Sequence, residues 1–319
     1  MTSIEDKGPL SAQNLSARNP RIQCPGPRLA TEVRALVAAA VLAFSTAAFP
    51  VGPNPAVAEE TSRVVIAGGD LTEIAFALGA GDRIIAVDTT SSYPPAVGDL
   101  PKVGYMRRLA PEGLLSMAPD LVLAAAGSGP EATLDRLEQA GVDVRIGPDD
   151  RTLSVVSKKI RFVGEALGLE EEAEALVADV EARLEQAIAE AAREDGPKVL
   201  FLMTSGRSGL MSAGDGTSAE AIINLSGGRN ALTGIDGFKP ISAEAALAAQ
   251  PDVLLVPSHA AVAMGGAETL LDRPELAATP AGRAKRIVVI DSLLLLGFGP
   301  RTPEAVKALA TALKEGEDA

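Results

Sequence analysis

The sequence is short of the side chains from which most metal centres and many catalytic sites are built. Its 319 residues contain one Cys, one His, no Trp and two Tyr, and aromatic residues make up 3% of the chain. One Cys excludes a disulfide framework and any multi-cysteine zinc or iron–sulfur site. One His excludes a His-rich metal cage and leaves a single candidate for a histidine-based triad. Basic residues are also in deficit, 29 Lys and Arg against 42 Asp and Glu, for a formal charge of −13. An acidic chain repels a phosphate backbone, which argues against a nucleic-acid partner. What is present is material for a core: 47% of the residues are hydrophobic, which rules out global disorder. The length allows one large domain or two lobes of ordinary size.

The N-terminal residues read as an export leader. Residues 1–34 are polar and irregular, and Arg34 precedes Ala35–Phe49, a run of 15 largely apolar residues that is too short for a comfortable transmembrane helix. Pro53 and Pro55 follow, then the small-x-small triplet Ala56-Val57-Ala58 and Glu59. A positive end, an apolar middle and a cleavage site in that order predict removal of residues 1–58 after export. The alternative is a membrane-anchored N-terminus. The polar part is long for a leader, and a start at Val33 would leave an ordinary one. Cys24 lies ahead of the apolar run, so it is not a lipid-attachment cysteine and departs with the leader. The remaining 261 residues carry 24 basic and 39 acidic side chains, a charge of −15.

Beyond the leader, strands and helices alternate, which predicts α/β architecture with parallel sheets. Residues 59–150 form a first lobe, with strands at Arg63–Ala67, Arg83–Asp88, Asp120–Ala125 and Val142–Ile146. Asp70 and Glu73 suit the start of its first helix, where each carboxylate can satisfy a free N–H. Residues 151–196 are helical, and the apolar face of Glu170–Ala192 recurs with a 3.6-residue period. A helix of that length, about 34 Å, suits a strut between two α/β units better than a crossover within one sheet. Residues 197–319 form a second lobe, with strands at Lys198–Met203, Asp252–Pro257 and Arg286–Asp291. Met211–Gly228 is Gly-rich but is neither a P-loop nor a GxGxxG fingerprint, and reads as a loop followed by a helix. The two lobes echo one another: Pro111–Leu123 matches Ala243–Leu255, with Glu112 over Glu244 and Asp120 over Asp252 at an offset of 132. In both copies a Glu opens a short helix, Pro-Asp ends it and an apolar strand follows.

Three segments resemble the periplasmic heme-binding proteins of bacterial heme ABC uptake systems. They are GGDLTEIAFALGAGDRIIAVDTTSSYPP, LPKVGYMRRLAPEGLLSMAPDLVLA and LLLLGFGPRTPEAV, and the likeness runs from about Arg63 to about Leu313. Much of it is shared with siderophore- and cobalamin-binding proteins of the same class, and VGYMRRLAPEG is the part that points to heme. The resemblance implies the class III fold, two α/β lobes with parallel sheets joined by one long backbone helix. It also implies a non-enzymatic, monomeric periplasmic protein that takes heme as cargo, with an inner-membrane permease and a separate ATPase subunit as partners.

In that family the Tyr of the Gly-Tyr segment ligates ferric iron, which falls here on Tyr105. A phenolate is a hard anionic donor suited to Fe(III), the metal displaces the phenol proton, and Arg107 and Arg108 stand close in sequence. From residue type alone, Tyr105 equally fits a half-buried loop aromatic. Tyr93, in SSYPP, shapes its loop or lines the cleft. The resemblance also offers a His as second ligand near Ser205–Gly206, where this chain has none. His259 replaces it from another loop, contacts a propionate, or is an ordinary loop residue. Arg207 and Arg301 are candidates to pair with propionates, since Arg binds carboxylates bidentately. Met106, Leu109, Met264, Leu296 and Phe298 are candidate apolar walls. Glu112 and Glu244 match positions that dock onto the permease, one per lobe, and they also suit helix N-termini.

The alternative ligand is a ferric siderophore or cobalamin on the same fold. An exported esterase lacks support, because no GxSxG motif occurs around the available Ser and nothing places a Ser beside the His. A zinc or manganese carrier needs several converging His or carboxylates.

Overall fold

In this computed structural model residues 63–150, 152–205 and 209–315 are described. The predicted leader, with Cys24 and the cleavage site at Ala58, lies outside them. In the first lobe, β1 (Val64–Ala67) leads into α1 (Gly69–Ala77) and β2 (Ile84–Val87). Then come α2 (Pro111–Ser116), β3 (Leu121–Ala124), α3 (Glu131–Gln139) and β4 (Asp143–Ile146). The four strands make one parallel sheet in the order β2-β1-β3-β4. β1 and β3 are buried at every position, the mark of a parallel sheet covered on both faces. Strand geometry sends alternate side chains to opposite faces. Val64 and Ile66 therefore join one core, and Val65 and Ala67 another with Leu134 and Leu137 of α3.

Two helices carry the chain across, α4 (Ser154–Leu167) and α5 (Glu170–Ala191). Burial along α5 falls on Ala173, Val177, Val180, Leu184, Ala187 and Ala191, an alternation of three and four residues that keeps one stripe inward. At 22 residues α5 is about 33 Å long.

The second lobe opens with β5 (Lys198–Phe201), β6 (Met203–Ser205) and β7 (Gly209–Ala213), then α6 (Ser218–Leu225), β8 (Arg229–Asn230) and β9 (Phe238–Pro240). It continues with α7 (Ala243–Ala249), β10 (Val253–Pro257), α8 (Ser258–Ala263), α9 (Pro274–Ala277) and α10 (Pro280–Arg283). β11 (Ile287–Ile290), α11 (Ser292–Leu296) and α12 (Thr302–Lys314) complete it. A second parallel sheet runs β11-β10-β5-β8, and β6-β7-β9 form a small antiparallel sheet. Of the segment Met211–Gly228, Met211–Ala213 belong to strand β7, while residues 214–217 form the expected loop and the helix expected after it is α6.

One continuous hydrophobic core runs from α1 through α4 and α5 to β5 and α12, with Leu71, Val163, Val180, Phe201 and Val306 among its members. The fold is therefore two α/β lobes with parallel sheets, joined through the long helix α5. Among the described residues no helix is long and apolar enough to cross a membrane.

The sequence echo is also a structural one. α2 and α7 each precede an inner strand of their sheet, β3 and β10. Ala118 and Gln250, again 132 apart, both have φ 45°, and each is followed by a proline.

Candidate functional site

In each parallel sheet the segments that leave the C-terminal ends of the strands carry the residues of interest, which is where α/β proteins place ligands. The two sets of strand ends meet. Gly69, just after β1, has no room for a side chain: a Cβ there would lie 2.6 Å from Thr90 O and 2.8 Å from Leu293 Cδ1. Leu293 follows β11, so the lobes touch at this point.

Tyr105 sits on the connection between β2 and α2, directly before the one-turn helix Met106–Arg108. It is 40% exposed. Its backbone is pinned on both sides. Thr89 N–H donates to Gly104 O at 2.8 Å, and Gly104 has φ 96°, a left-handed conformation that favours glycine. On the other side Gly129 N–H donates to Met106 O at 2.9 Å, and Leu109 N–H to Gly129 O at 2.8 Å. Arg107 and Arg108 are exposed, and neither has an ion-pair partner among the described residues. The turn therefore presents one phenol and two free guanidinium groups on a fixed backbone.

Asp88, at the end of β2, has no accessible surface. Its Oδ1 accepts from Gly68 N–H (3.1 Å), the Thr90 hydroxyl (2.9 Å) and the Ser91 hydroxyl (2.9 Å). Its Oδ2 accepts from Thr90 N–H (3.0 Å) and Met106 N–H (3.2 Å). This carboxylate, with Thr90 Oγ1 accepting Gly69 N–H at 3.1 Å, occupies the N-terminus of α1.

The acids expected to start α1 are used elsewhere. Neither Asp70 nor Glu73 caps the helix, whose preceding Gly68 has no side chain to do so. Asp70 Oδ2 lies 2.6 Å from Lys159 Nζ of α4, which also donates to Gly297 O at 3.1 Å. Glu73 reaches into the second lobe. Its Oε2 accepts from Arg301 Nε (2.9 Å) and Nη2 (2.7 Å), and its Oε1 from Arg301 N–H (3.1 Å). The Arg301 guanidinium also lies 3.6 Å from the centroid of the Tyr93 ring. Arg301, expected at a propionate, is thus engaged by Glu73 and Tyr93, and its side chain is 22% accessible. Burial pushes the Glu73 carboxyl above its ordinary value of 4.5, against the opposing pull of the Arg301 hydrogen bonds and charge.

Glu73→Ala strands the Arg301 guanidinium in a largely buried place, and removal of one partner of such a pair costs about 3–5 kcal/mol. Thermal melting should show that loss. Glu73→Gln gives a pH signature. The folded pKa lies above that of the unfolded chain, so the native state holds the extra proton between the two values. Stability from Glu73 therefore rises as the pH falls through that window towards 4.5. The stability of the parent relative to Glu73→Gln should rise on acidification through that window; a relative fall contradicts this.

His259 is the second residue of α8 and is exposed. Its Nδ1 is 2.6 Å from Ser292 Oγ, which also accepts the His259 N–H at 3.0 Å, and Ser258 Oγ accepts Ser292 N–H at 3.2 Å. The structure therefore does bring a Ser beside the His, contrary to the sequence expectation. The hydroxyls serve the starts of α8 and α11, and among the described residues no carboxylate completes a triad with His259. Arg207 and Gly206 lie outside the described residues. Two expected wall residues are core residues: Leu109 is 4% exposed, and Phe298 is 7% exposed. Met106, Leu296 and Met264 are half-buried at the margins of the cores. An apolar groove lined by Leu153, Val156, Leu184 and Ile188, between α4 and α5, includes none of these site residues. Glu112 and Glu244 are both exposed in the first turns of α2 and α7. Arg136 approaches Glu112 to 4.0 Å. A backbone N–H and the Ser242 hydroxyl draw the Glu244 carboxyl below its usual range. No group of three or more His, Cys, Asp or Glu able to hold a metal ion occurs among the described residues.

Sequence reasoning missed Asp88 and the Glu73–Arg301 pair. The available signal was that three acids, Asp70, Glu73 and Asp88, lie within otherwise apolar stretches.

A family model for periplasmic binding proteins matches residues 64–294. The chain is similar to the periplasmic heme-binding protein RhuT from Roseiflexus sp. RS-1 in its apo form, with 43% identity, a TM-score of 0.78, and coverage of 80% of this chain and 99% of that one. It is 29% identical to the uncharacterized ABC transporter substrate-binding lipoprotein YvrC of Bacillus subtilis (strain 168), over 80% of this chain and 81% of that protein. It is also 29% identical to the vitamin B12-binding protein of Vibrio campbellii (strain ATCC BAA-1116), over 69% of this chain and 76% of that protein. With strand ends of two parallel-sheet lobes brought together and the family match spanning both lobes, this chain belongs to the periplasmic binding proteins, the substrate-binding class of ABC transporters.

Proposed function

We infer that the protein, exported and cleaved after Ala58, captures ferric heme between its lobes and delivers it to an ABC permease. Tyr105 supplies a phenolate to the iron, and the unpaired Arg107 and Arg108 stabilise that phenolate and meet the propionates. The observation that carries the reading is an exposed phenol on a backbone held from both sides, flanked in sequence by two cations with no ion-pair partner among the described residues. The 43% identity to RhuT, named for heme, supports the same ligand. Arg207 remains a candidate for a second propionate, and His259 for a second iron ligand: its Nε2 has no hydrogen-bond partner among the described residues, and Ser292 holds the ring by Nδ1. Arg301 acts with Glu73 to hold the lobes.

The second reading is cobalamin, favoured by the name of the Vibrio campbellii relative. Titration of residues 59–319 with hemin, cyanocobalamin and a ferric siderophore, each followed by absorption spectroscopy, separates the readings. Saturable hemin binding with a ferric–phenolate charge-transfer band is expected. Saturation by cobalamin or siderophore, with hemin binding only weakly, would reject heme as the cargo.

A further inference from the structure

Of the three buried acids among the described residues, two are in direct ion pairs and the third, Asp88, is not: the Lys102 ammonium is near enough to feel its charge but donates to Ser91 O and Val97 O. Asp70 has Lys159 and Glu73 has Arg301, but Asp88, which is 0% exposed, makes no ion pair among the described residues. Burying a carboxylate costs several kcal/mol, about what a set of well-placed N–H and O–H donors restores. Five donors surround this one. A neutral Ser or Thr would serve as well if the task were only to cap α1. Two oxygens are needed because the group joins two elements. Oδ1 holds Gly68 at the start of α1, and Oδ2 holds Met106 N–H, next to Tyr105.

Met106 follows Tyr105 as the first residue of the one-turn helix, whose Arg108 N–H donates to Tyr105 O at 2.7 Å, and the Met106 N–H and carbonyl are both held. Asp88 takes its N–H, and Gly129 N–H donates to its carbonyl. The amide held by Asp88 is the peptide whose carbonyl belongs to Tyr105, so fixing it limits ψ of Tyr105, which is 132°. Thr89, adjacent to Asp88, holds Gly104 on the other side. The direction of the Cα–Cβ bond of Tyr105 is thus set from the end of β2, while the phenol stays accessible.

We propose that Asp88 is a positioning residue for the iron ligand: its carboxylate fixes the Tyr105–Met106 peptide and thereby aims the Tyr105 phenol at ferric heme. This rests on the reading of Tyr105 as the ligand. Ligand groups are commonly oriented by an outer partner whose loss costs about 10–100-fold in metal affinity. Here that partner acts on the ligand's backbone, because the exposed phenol has no hydrogen bond of its own among the described residues.

Asp88→Asn tests the proposal. It keeps the size of the side chain but turns an NH2 group towards N–H donors, so one of the two linked elements is released. Hemin affinity is expected to fall about 10–100-fold, with a shifted or weakened phenolate charge-transfer band and a cooperative thermal melt. In a Tyr105→Phe background, Asp88→Asn should cost no further affinity. Additive losses would show that Asp88 only supports the fold, and would overturn the proposal. Thr90→Val removes one donor and keeps the charge, and should shift the same band by less. If Asp88→Asn fails to fold, two measurements decide: hydrogen exchange at the Met106 amide in the parent, expected to be slow, and the band in Thr90→Val. Exchange at the unprotected rate, or an unmoved band, overturns the proposal. The two readings fail differently. A Tyr105→Phe protein with the parent's spectrum and affinity removes the ligand assignment itself. Loss of the band in Tyr105→Phe, with the parent's spectrum kept in Asp88→Asn, removes only the role of Asp88.

Discussion

Tyr105→Ala should abolish the ferric–phenolate band and lower hemin affinity by at least about 100-fold, or roughly 2.7 kcal/mol, while the fold survives. The lower bound follows from chemistry. An inner ligand matters at least as much as the outer groups that orient one. The expectation of an intact fold follows from the geometry. The side chain is 40% exposed and its ring belongs to none of the hydrophobic cores, and substitutions at such places shift stability by about 0.5 kcal/mol or less. The backbone of the segment is held by the main chains of Thr89 and Gly129 and by the Asp88 carboxylate, and none of these bonds uses the phenol. Tyr105→Phe separates the oxygen from the ring: it should lose the band as Tyr105→Ala does, yet retain whatever affinity comes from packing on porphyrin. Residual binding with a histidine-type spectrum in either variant would bring His259 forward as an iron ligand. Unchanged affinity in both would reject Tyr105.

The fold was legible because its sheets are parallel and buried. Runs such as VVIA, LVLA and VLLVP are nearly continuous apolar segments bounded by Gly, Asp or Pro, and the strands lie within a residue or two of where those boundaries place them. The small antiparallel sheet was not legible. MTS, GLMSA and FKP are three to five residues long and show no clean alternation, so their pairing is set by the surrounding lobe. Asp70 and Glu73 show the limit for polar residues. Their spacing suits a helix start, yet the partner that claims Glu73 is 228 residues away, and local spacing carries no record of it. Leu109 and Phe298 fail as walls for a related reason: an apolar residue near a cleft segment reads the same whether it faces the ligand or the core. Asp88 read as the last residue of a strand, and only its complete burial marks it as a hub.

The internal echo leads to the second large effect. Reversing both Glu112 and Glu244 to Lys should abolish heme uptake in cells while leaving hemin affinity in solution unchanged. The proposed partner, a permease built on two-fold symmetry, would offer two equivalent surfaces, which an internal repeat in this chain would match. This chain repeats the relevant unit faithfully. Each Glu is the second residue of a short helix, each helix is followed within two residues by one with φ 45° and then Pro, and each leads into an inner strand of its own parallel sheet. Both carboxylates are exposed, so a basic partner can reach them, and neither belongs to the hydrogen bonds that hold Tyr105. Their place at helix N-termini explains why acids are tolerated there, but it does not explain two acids at matching positions on two lobes. Neutralisation to Gln distinguishes the two roles. A helix-start role alone predicts a small loss of stability and normal uptake in the double Gln variant. A docking role predicts partial uptake in each single variant and little in the double, with recovery when basic residues of the permease are exchanged for acidic ones against the Lys variant. Normal uptake by Glu112→Lys/Glu244→Lys would reject the docking role outright.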